Sequence, residues 1–170
     1  MYMKKTFLQG FTLIELLIVI AVIGILAVGA FVALNPGQRL QDSRDSRRWT
    51  DVTAILEAIK VDQVDNQGPY FPALESAAAG ATIRMLGTCA ATSNCNAAPA
   101  CADAPIIGIT DGIDPAALAT EGYLASVPIA PAGAAFDSVK TGYYIVKNTN
   151  GTIKIGACDS ENTTAISVQR

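Results

Sequence analysis

The sequence contains no histidine among its 170 residues. This absence excludes a Ser-His or Cys-His nucleophile pair, and it excludes histidine as a metal ligand. Aromatic residues are scarce at 6%, and a net charge of −3 leaves no excess of lysine and arginine. Direct nucleic-acid binding is therefore not predicted, because it leaves a basic footprint. With no nucleophile elbow and no metal constellation, the chain is predicted not to be an enzyme and to need no cofactor.

Cysteine is also sparse, with four residues that could form a metal site or disulfides: Cys89, Cys95, Cys101 and Cys158. No pair has the C-x₂₋₄-C spacing of a structural zinc site. In an exported domain an even number predicts two disulfides instead, and four cysteines allow three pairings. We favour Cys89–Cys95 as a clamp within a loop and Cys101–Cys158 as a tie from that loop to a late strand.

Charge is nearly absent from one long segment near the amino terminus. From Phe11 to Asn35 the only charged residue is Glu15, and none follows it as far as Gln38. About 20 apolar helical residues suffice to cross the hydrocarbon core of a bilayer. The segment is long enough to span a membrane, and Lys4 and Lys5 predict that its leader side stays cytoplasmic.

Three ordinary explanations of this segment fit less well. A secretory signal has a shorter apolar region followed by a small-residue cleavage site, and no such site is clear before Asn35-Pro36. A buried core helix would be amphipathic, whereas this helix is apolar around its whole circumference. A plain membrane anchor fits the length but does not explain Glu15, because a carboxylate within a membrane helix is costly and usually functional.

The stretch Gly10-Phe11-Thr12-Leu13-Ile14-Glu15 resembles the class III signal of type IV prepilins and pseudopilins. The resemblance includes the basic leader, the glycine before an aromatic residue, the acid at the fifth position after Gly10, and the long apolar helix behind it. It covers about the first 35 residues closely. The rest of the chain matches the family only in general layout.

The resemblance implies processing and polymerisation. A prepilin peptidase would cut between Gly10 and Phe11 and methylate the new amino terminus at Phe11. The precursor would sit in membrane lipid as a single-pass protein of the cytoplasmic membrane. An assembly ATPase and a platform protein would then build an extracellular filament from many copies of the chain. Glu15 would pair with the terminal amine of a neighbouring copy and fix the axial register.

The pattern beyond the apolar segment predicts an α+β fold. Asn35-Pro36-Gly37 predicts a kink near 34–37, and one discontinuous helix is expected from 11 to 66. In its second half, the polar residues from Asp42 to Arg48 are predicted to form a mixed-charge face. An apolar stripe for the core follows at helical spacing: Trp49, Val52, Ile55, Leu56 and Ile59. Gly68 and Pro69 mark the end of the helix.

A small antiparallel sheet is expected to complete the head. Residues 69–132 are predicted to be loop-rich, with a short strand at 82–86 and a short helix opened by Asp114-Pro115. Residues 133–170 hold the sheet: 141–147 and 152–158 form a hairpin around Asn150-Gly151, and 164–168 forms a third strand. The family layout implies a leader at 1–10, a polymerisation helix at 11–36 that protrudes, and a head helix at 37–68.

Two functions share this signal. We favour a surface-pilus subunit, and the first alternative is a pseudopilin of a type II secretion or competence machine. The second alternative is of another class, a membrane-anchored module whose head binds an extracellular ligand. The acids of the head have no calcium-loop spacing and are read as solvated: Asp111, Asp114, Asp137 and Asp159. Asn150-Gly151-Thr152 and Asn162-Thr163-Thr164 match the N-glycosylation sequon, a motif too short to assign a site alone.

Overall fold

A computed structural model describes residues 10–80, 83–89, 112–131 and 136–170 of the chain. The chain divides into two compact units, Met1–Arg39 and Leu40–Arg170. The first unit contains the apolar helix, and the second is the head, which contains the sheet. Predictions that fall on the leader, on Cys95 and on Cys101 lie outside the described residues.

Helix α1 runs from Leu13 to Leu34 and has no buried residue. Apart from Glu15 in its first turn, its residues are apolar on every side of the helix. In the described part of the chain, one helical stretch, beginning at Leu13, is long and apolar enough to cross a membrane. By length and composition this helix corresponds to the membrane span predicted from the sequence.

The predicted interruption near 34–37 is confirmed at Asn35. Asn35 adopts a left-handed conformation with φ 39° and ψ 70°, which asparagine tolerates better than most residues. Helix α2 then begins at Pro36 and ends at Asp65. Pro36 stands at the first helical position, where its missing N–H costs nothing, and the Asn35 carbonyl accepts hydrogen bonds from the N–H groups of Gln38 and Arg39.

The buried face of α2 is longer than the sequence analysis predicted. The predicted core residues Val52, Ile55, Leu56 and Ile59 are buried, but Trp49 is 38% exposed. The face continues at helical spacing into residues assigned to the charged surface: Asp45 is 2% exposed and Arg48 is fully buried. The assignment of Asp45 and Arg48 to a mixed-charge face apart from the core stripe is therefore wrong, because both side chains are buried and have partners inside the head.

The head contains a five-stranded sheet in the order β2-β1-β3-β4-β5. In chain order the strands are Ile83–Leu86, Gly112–Ile113, Tyr143–Lys147, Ile153–Ala157 and Ser167–Gln169. Two short helices, α3 (Pro72–Glu75) and α4 (Ala116–Thr120), lie between α2 and β3. The hairpin predicted from the sequence is present as β3 and β4. The predicted third strand is present as β5, which begins three residues later than expected.

The sheet is mixed, not wholly antiparallel as predicted. Strand β2 pairs with β1 in parallel, with Met85 opposite Gly112, while the remaining pairs are antiparallel. Parallel neighbours need a crossover of about a dozen residues or more, and the connection after Leu86 has that length. Strand β2 has only two residues, too few to give an alternating pattern in the sequence.

One hydrophobic core joins α2 to the sheet. Val52, Ile55 and Ile59 share it with the buried residues of β3 and β4. Strand β3 is central, and its first four residues are buried. Gly156 lies opposite Tyr144 in the β3–β4 register, and the Tyr144 ring fills the space where a side chain at 156 would stand.

Candidate functional site

The amino-terminal end of α1 is closed by a capping box formed by Thr12 and Glu15. The Thr12 hydroxyl accepts a hydrogen bond from the Glu15 N–H at 3.3 Å and donates to Glu15 Oε2 at 2.6 Å. The Thr12 N–H donates to the same Oε2 at 2.9 Å. Helix starts leave N–H groups without partners, and this reciprocal pair satisfies two of them.

The capping box leaves one carboxylate oxygen of Glu15 available. Both bonds from Thr12 go to Oε2, and Oε1 makes no hydrogen bond within the described residues. Glu15 is exposed, as are Gly10 and Phe11. The structure thus presents an oriented carboxylate four residues after Phe11, with one oxygen free to accept a donor from outside the chain. Cleavage after Gly10 and methylation of Phe11 remain predictions.

A second polar cluster lies inside the head, where α2 meets the loop between β4 and β5. We name it the head clamp, and it consists of Arg44, Asp45, Arg48 and Glu161. Asp45 accepts hydrogen bonds from three consecutive backbone N–H groups of the loop, at residues 161, 162 and 163, with distances of 3.1, 2.8 and 3.3 Å. A buried carboxylate needs such partners to stay charged.

The arginines of the head clamp complete it. Arg48 donates to Asp45 at 2.7 Å, to Glu161 at 3.0 Å and to the carbonyl of Pro131 at 2.9 Å. Arg44 forms a bidentate pair with Glu161, with Nε at 2.7 Å from Oε1. The clamp therefore fixes the β4–β5 loop to α2 through two carboxylates and two guanidinium groups.

The clamp shifts the pKa values of its acids. Burial of Asp45 alone would raise its pKa, but the N–H groups of Asn162 and Glu161 and the Arg48 guanidinium outweigh burial and lower it. The hydrogen bond from Arg44 lowers the pKa of Glu161 despite partial burial, with further help from Arg48. Both carboxylates are therefore held in the charged form at neutral pH.

The two described cysteines lie in the core. Cys89 is 3% exposed and Cys158 is fully buried, with the Cys158 sulfur 4.0 Å from the Met85 sulfur. Both are disulfide-bonded, and no cysteine in the described ranges is free. The pairings Cys89–Cys95 and Cys101–Cys158 stay predictions, because Cys95 and Cys101 lie outside those ranges.

No group of three or more acids or cysteines in the described part of the chain is arranged to hold a metal ion. Asp114 accepts a hydrogen bond from the N–H of Ala116 at the start of α4, at 2.9 Å. Asp137 caps a turn by accepting from the N–H groups of Val139 and Lys140. These two acids support turns, and Asp111 lies outside the described residues.

Residues 9–31 match the family model of the prokaryotic N-terminal methylation motif. This is the class III signal peptide, and its presence is consistent with the type IV pilin and pseudopilin family, as the residues from Gly10 to Glu15 predicted. The match spans the capping box and most of α1. No curated protein and no solved structure matches the chain.

Proposed function

We propose that this chain is the structural subunit of a type IV pilus-like filament, cleaved after Gly10, methylated at Phe11 and polymerised through α1. One observation carries the proposal. The methylation motif coincides with a helix whose apolar residues are all exposed and whose only charge, Glu15, is oriented by Thr12. An apolar helix of this kind needs lipid or other helices around it, and a filament supplies the second environment.

Glu15 has a specific role in the proposed filament. Its free Oε1 can accept from the Phe11 ammonium of a neighbouring copy while Oε2 stays bonded to Thr12. A wrong axial offset would leave both charges unpaired in an apolar bundle, which is strongly unfavourable. The pair therefore penalises wrong registers more than it stabilises the right one.

The partners follow from the signal. Before assembly the precursor is a single-pass protein in membrane lipid, with its leader on the cytoplasmic side. A prepilin peptidase removes the leader, and a platform protein with its ATPase extracts the subunit into the growing filament. The dominant partner is then a second copy of the chain, and the filament lies at the cell surface.

The test is intact-mass and amino-terminal peptide mass spectrometry of two fractions, sheared surface filaments and washed membranes. We expect the sheared fraction to contain chains that begin at methylated Phe11. The same processed form confined to membranes would favour the pseudopilin alternative. An uncut leader, or a cut beyond Asn35, would remove the class III assignment and leave an ordinary anchored or secreted protein.

A variant separates processing from assembly. Glu15→Ala is expected to be cleaved normally and to lose filament yield, because the register contact is gone. Leu13→Ala is the matched control, since Leu13 is also exposed at the same end of α1 and carries no charge. Normal filament yield in Glu15→Ala would refute the role given to this carboxylate.

A further inference from the structure

The two N-glycosylation sequons of the head lie in different structural settings. Asn150-Gly151-Thr152 forms the turn between β3 and β4, and Asn162-Thr163-Thr164 lies in the β4–β5 loop held by the head clamp. Both asparagines are exposed. A sequon by itself does not identify a glycosylation site. An enzyme that modifies a folded head must reach the side-chain nitrogen Nδ2 of the asparagine, and the two sequons differ in whether that nitrogen is hydrogen-bonded.

At the hairpin, the Asn150 amide is oriented with its nitrogen free. Its Oδ1 accepts from the Thr152 N–H at 3.1 Å and from the Thr152 hydroxyl at 2.8 Å. Because the oxygen of an asparagine amide accepts and its nitrogen only donates, the hydrogen bond from the Thr152 N–H identifies which end of the amide faces the turn. Nδ2 then points away from Thr152 and makes no hydrogen bond within the described residues.

The hydroxyl of Thr152 has little freedom to leave this position. It accepts from Asn148 Nδ2 at 2.9 Å and from Gln169 Nε2 at 3.2 Å, so its single proton goes to Asn150. The turn itself is anchored, because the Tyr70 hydroxyl donates to the Gly151 carbonyl at 2.8 Å. The fold therefore holds the three sequon residues in one arrangement at an exposed tip.

The second sequon lacks these features. Asn162 Nδ2 already donates to Asp42 at 2.7 Å, and the Asn162 N–H donates to Asp45 at 2.8 Å. Using Asn162 as an acceptor would disturb the loop that the head clamp holds. Its nitrogen is thus engaged where that of Asn150 is not.

We propose that Asn150 is an N-glycosylation site of the folded, exported head; the export rests on the proposed function. The donor class is an oligosaccharide on a polyprenyl diphosphate. Nδ2 attacks the anomeric carbon, a C–N bond forms, and the bond from that carbon to the phosphate oxygen breaks. The electron pair leaves with the polyprenyl diphosphate, and one Nδ2 proton is lost to a base of the transferase.

Spontaneous deamidation is the competing fate of an Asn-Gly pair. It needs the Gly151 nitrogen to attack Asn150 Cγ and release ammonia. In the structure the Gly151 N–H donates to the Asn148 carbonyl at 3.1 Å, and the turn places Gly151 at φ 81°. The nucleophile of deamidation is held by the turn, whereas the nucleophile of glycosyl transfer is free.

Peptide mass spectrometry of sheared filaments and membranes from the native host tests the proposal. Trypsin places the two sequons on separate peptides, 148–154 and 155–170, since cleavage follows Lys147 and Lys154. We expect sugar mass on 148–154 in most copies, complete loss of it in Asn150→Gln, and no change in Asn162→Gln. In Thr152→Ala the glycosylated fraction of peptide 148–154 should fall at least tenfold, and in Thr152→Ser it should be retained.

Three results would overturn the proposal. The peptide 148–154 could be unmodified, it could carry only the small mass gain of deamidation, or its sugar could persist in Asn150→Gln, which would place it on a threonine hydroxyl. The same spectra report Phe11, so the two proposals fail separately. If peptide 148–154 is unmodified on filaments whose chains begin at methylated Phe11, only the glycosylation proposal is refuted. If the glycan is present on chains that keep their leader, only the filament proposal is refuted.

Discussion

Replacing Arg48 with methionine removes a guanidinium group that is fully buried in the head. Methionine keeps most of the volume, so the change isolates the charge and its hydrogen bonds. Asp45 loses its 2.7 Å partner, and Glu161 and the Pro131 carbonyl lose theirs. Removing one partner of a buried ion pair costs about 3–5 kcal/mol, because the remaining charge is left uncompensated. We expect a loss of that size for the head.

The assay is thermal unfolding of the full chain in detergent, followed by the fluorescence of Trp49. Trp49 is the only tryptophan in the sequence, and it follows Arg48 directly in α2. A chain of this size shifts its Tm by about 3 °C per kcal/mol, so Arg48→Met should lower Tm by about 10–15 °C. Arg47→Met is the matched control, because the Arg47 side chain is 65% exposed and should change stability by less than about 0.5 kcal/mol.

A double variant tests the reasoning further. Within the described residues Arg48 Nε is buried without a hydrogen-bond partner. Part of the free-energy cost of removing the Arg48 guanidinium from water is therefore not offset by hydrogen bonds. Asp45→Asn combined with Arg48→Met should therefore cost clearly less than the sum of the two single changes. Equal Tm values for Arg48→Met and Arg47→Met would refute the view that the clamp is a buried ionic network.

The same structure makes two further predictions. The pKa values of Asp45 and Glu161 are lowered in the head, so their contribution to stability is complete above the ordinary values of 3.8 and 4.5 and is lost as pH falls through the lowered values. Tm should therefore be constant near neutral pH and fall progressively once pH is lowered below about 4.5. An equal fall in Asp45→Asn would contradict the assignment to Asp45. Gly156→Ala places a Cβ 2.4 Å from the Tyr144 ring, so a loss of about 1–3 kcal/mol is expected in the same melt, and wild-type Tm would be the contrary result.

The elements with a local signature could be predicted from the sequence. Uniform apolarity identified α1, proline after asparagine located the break at Asn35, and Asn-Gly between β-rich runs located the β3–β4 turn. Each of these signals depends on residues within a few positions of one another. The motif from Gly10 to Glu15 is equally local, which is why this candidate site could be recognised before the fold was known.

The head clamp was missed for the opposite reason. Charged residues are assigned to the surface by default, and the partners that overturn this default lie far along the chain. Glu161 is 113 residues from Arg48, and no local pattern links them. One signal did exist: Asp45, Arg48 and Val52 continue the spacing of Ile55 and Ile59, so the buried face could have been followed backward through the charges. A pattern search for apolar residues selects Trp49 instead, although its side chain is 38% exposed.

Under the proposed function, assembly exchanges one apolar environment of α1 for another. Lipid tails are about as apolar as leucine side chains, so the hydrophobic effect alone gives α1 little preference between bilayer and filament. Shape complementarity between uniformly apolar helices also discriminates weakly among axial offsets. Glu15 differs from every other residue of α1, because lipid tails offer no ammonium group to its free oxygen, whereas the proposed filament places a neighbouring Phe11 amine there. If the proposed function is right, the register of the filament is therefore set by the one contact that an apolar environment of lipid tails cannot supply.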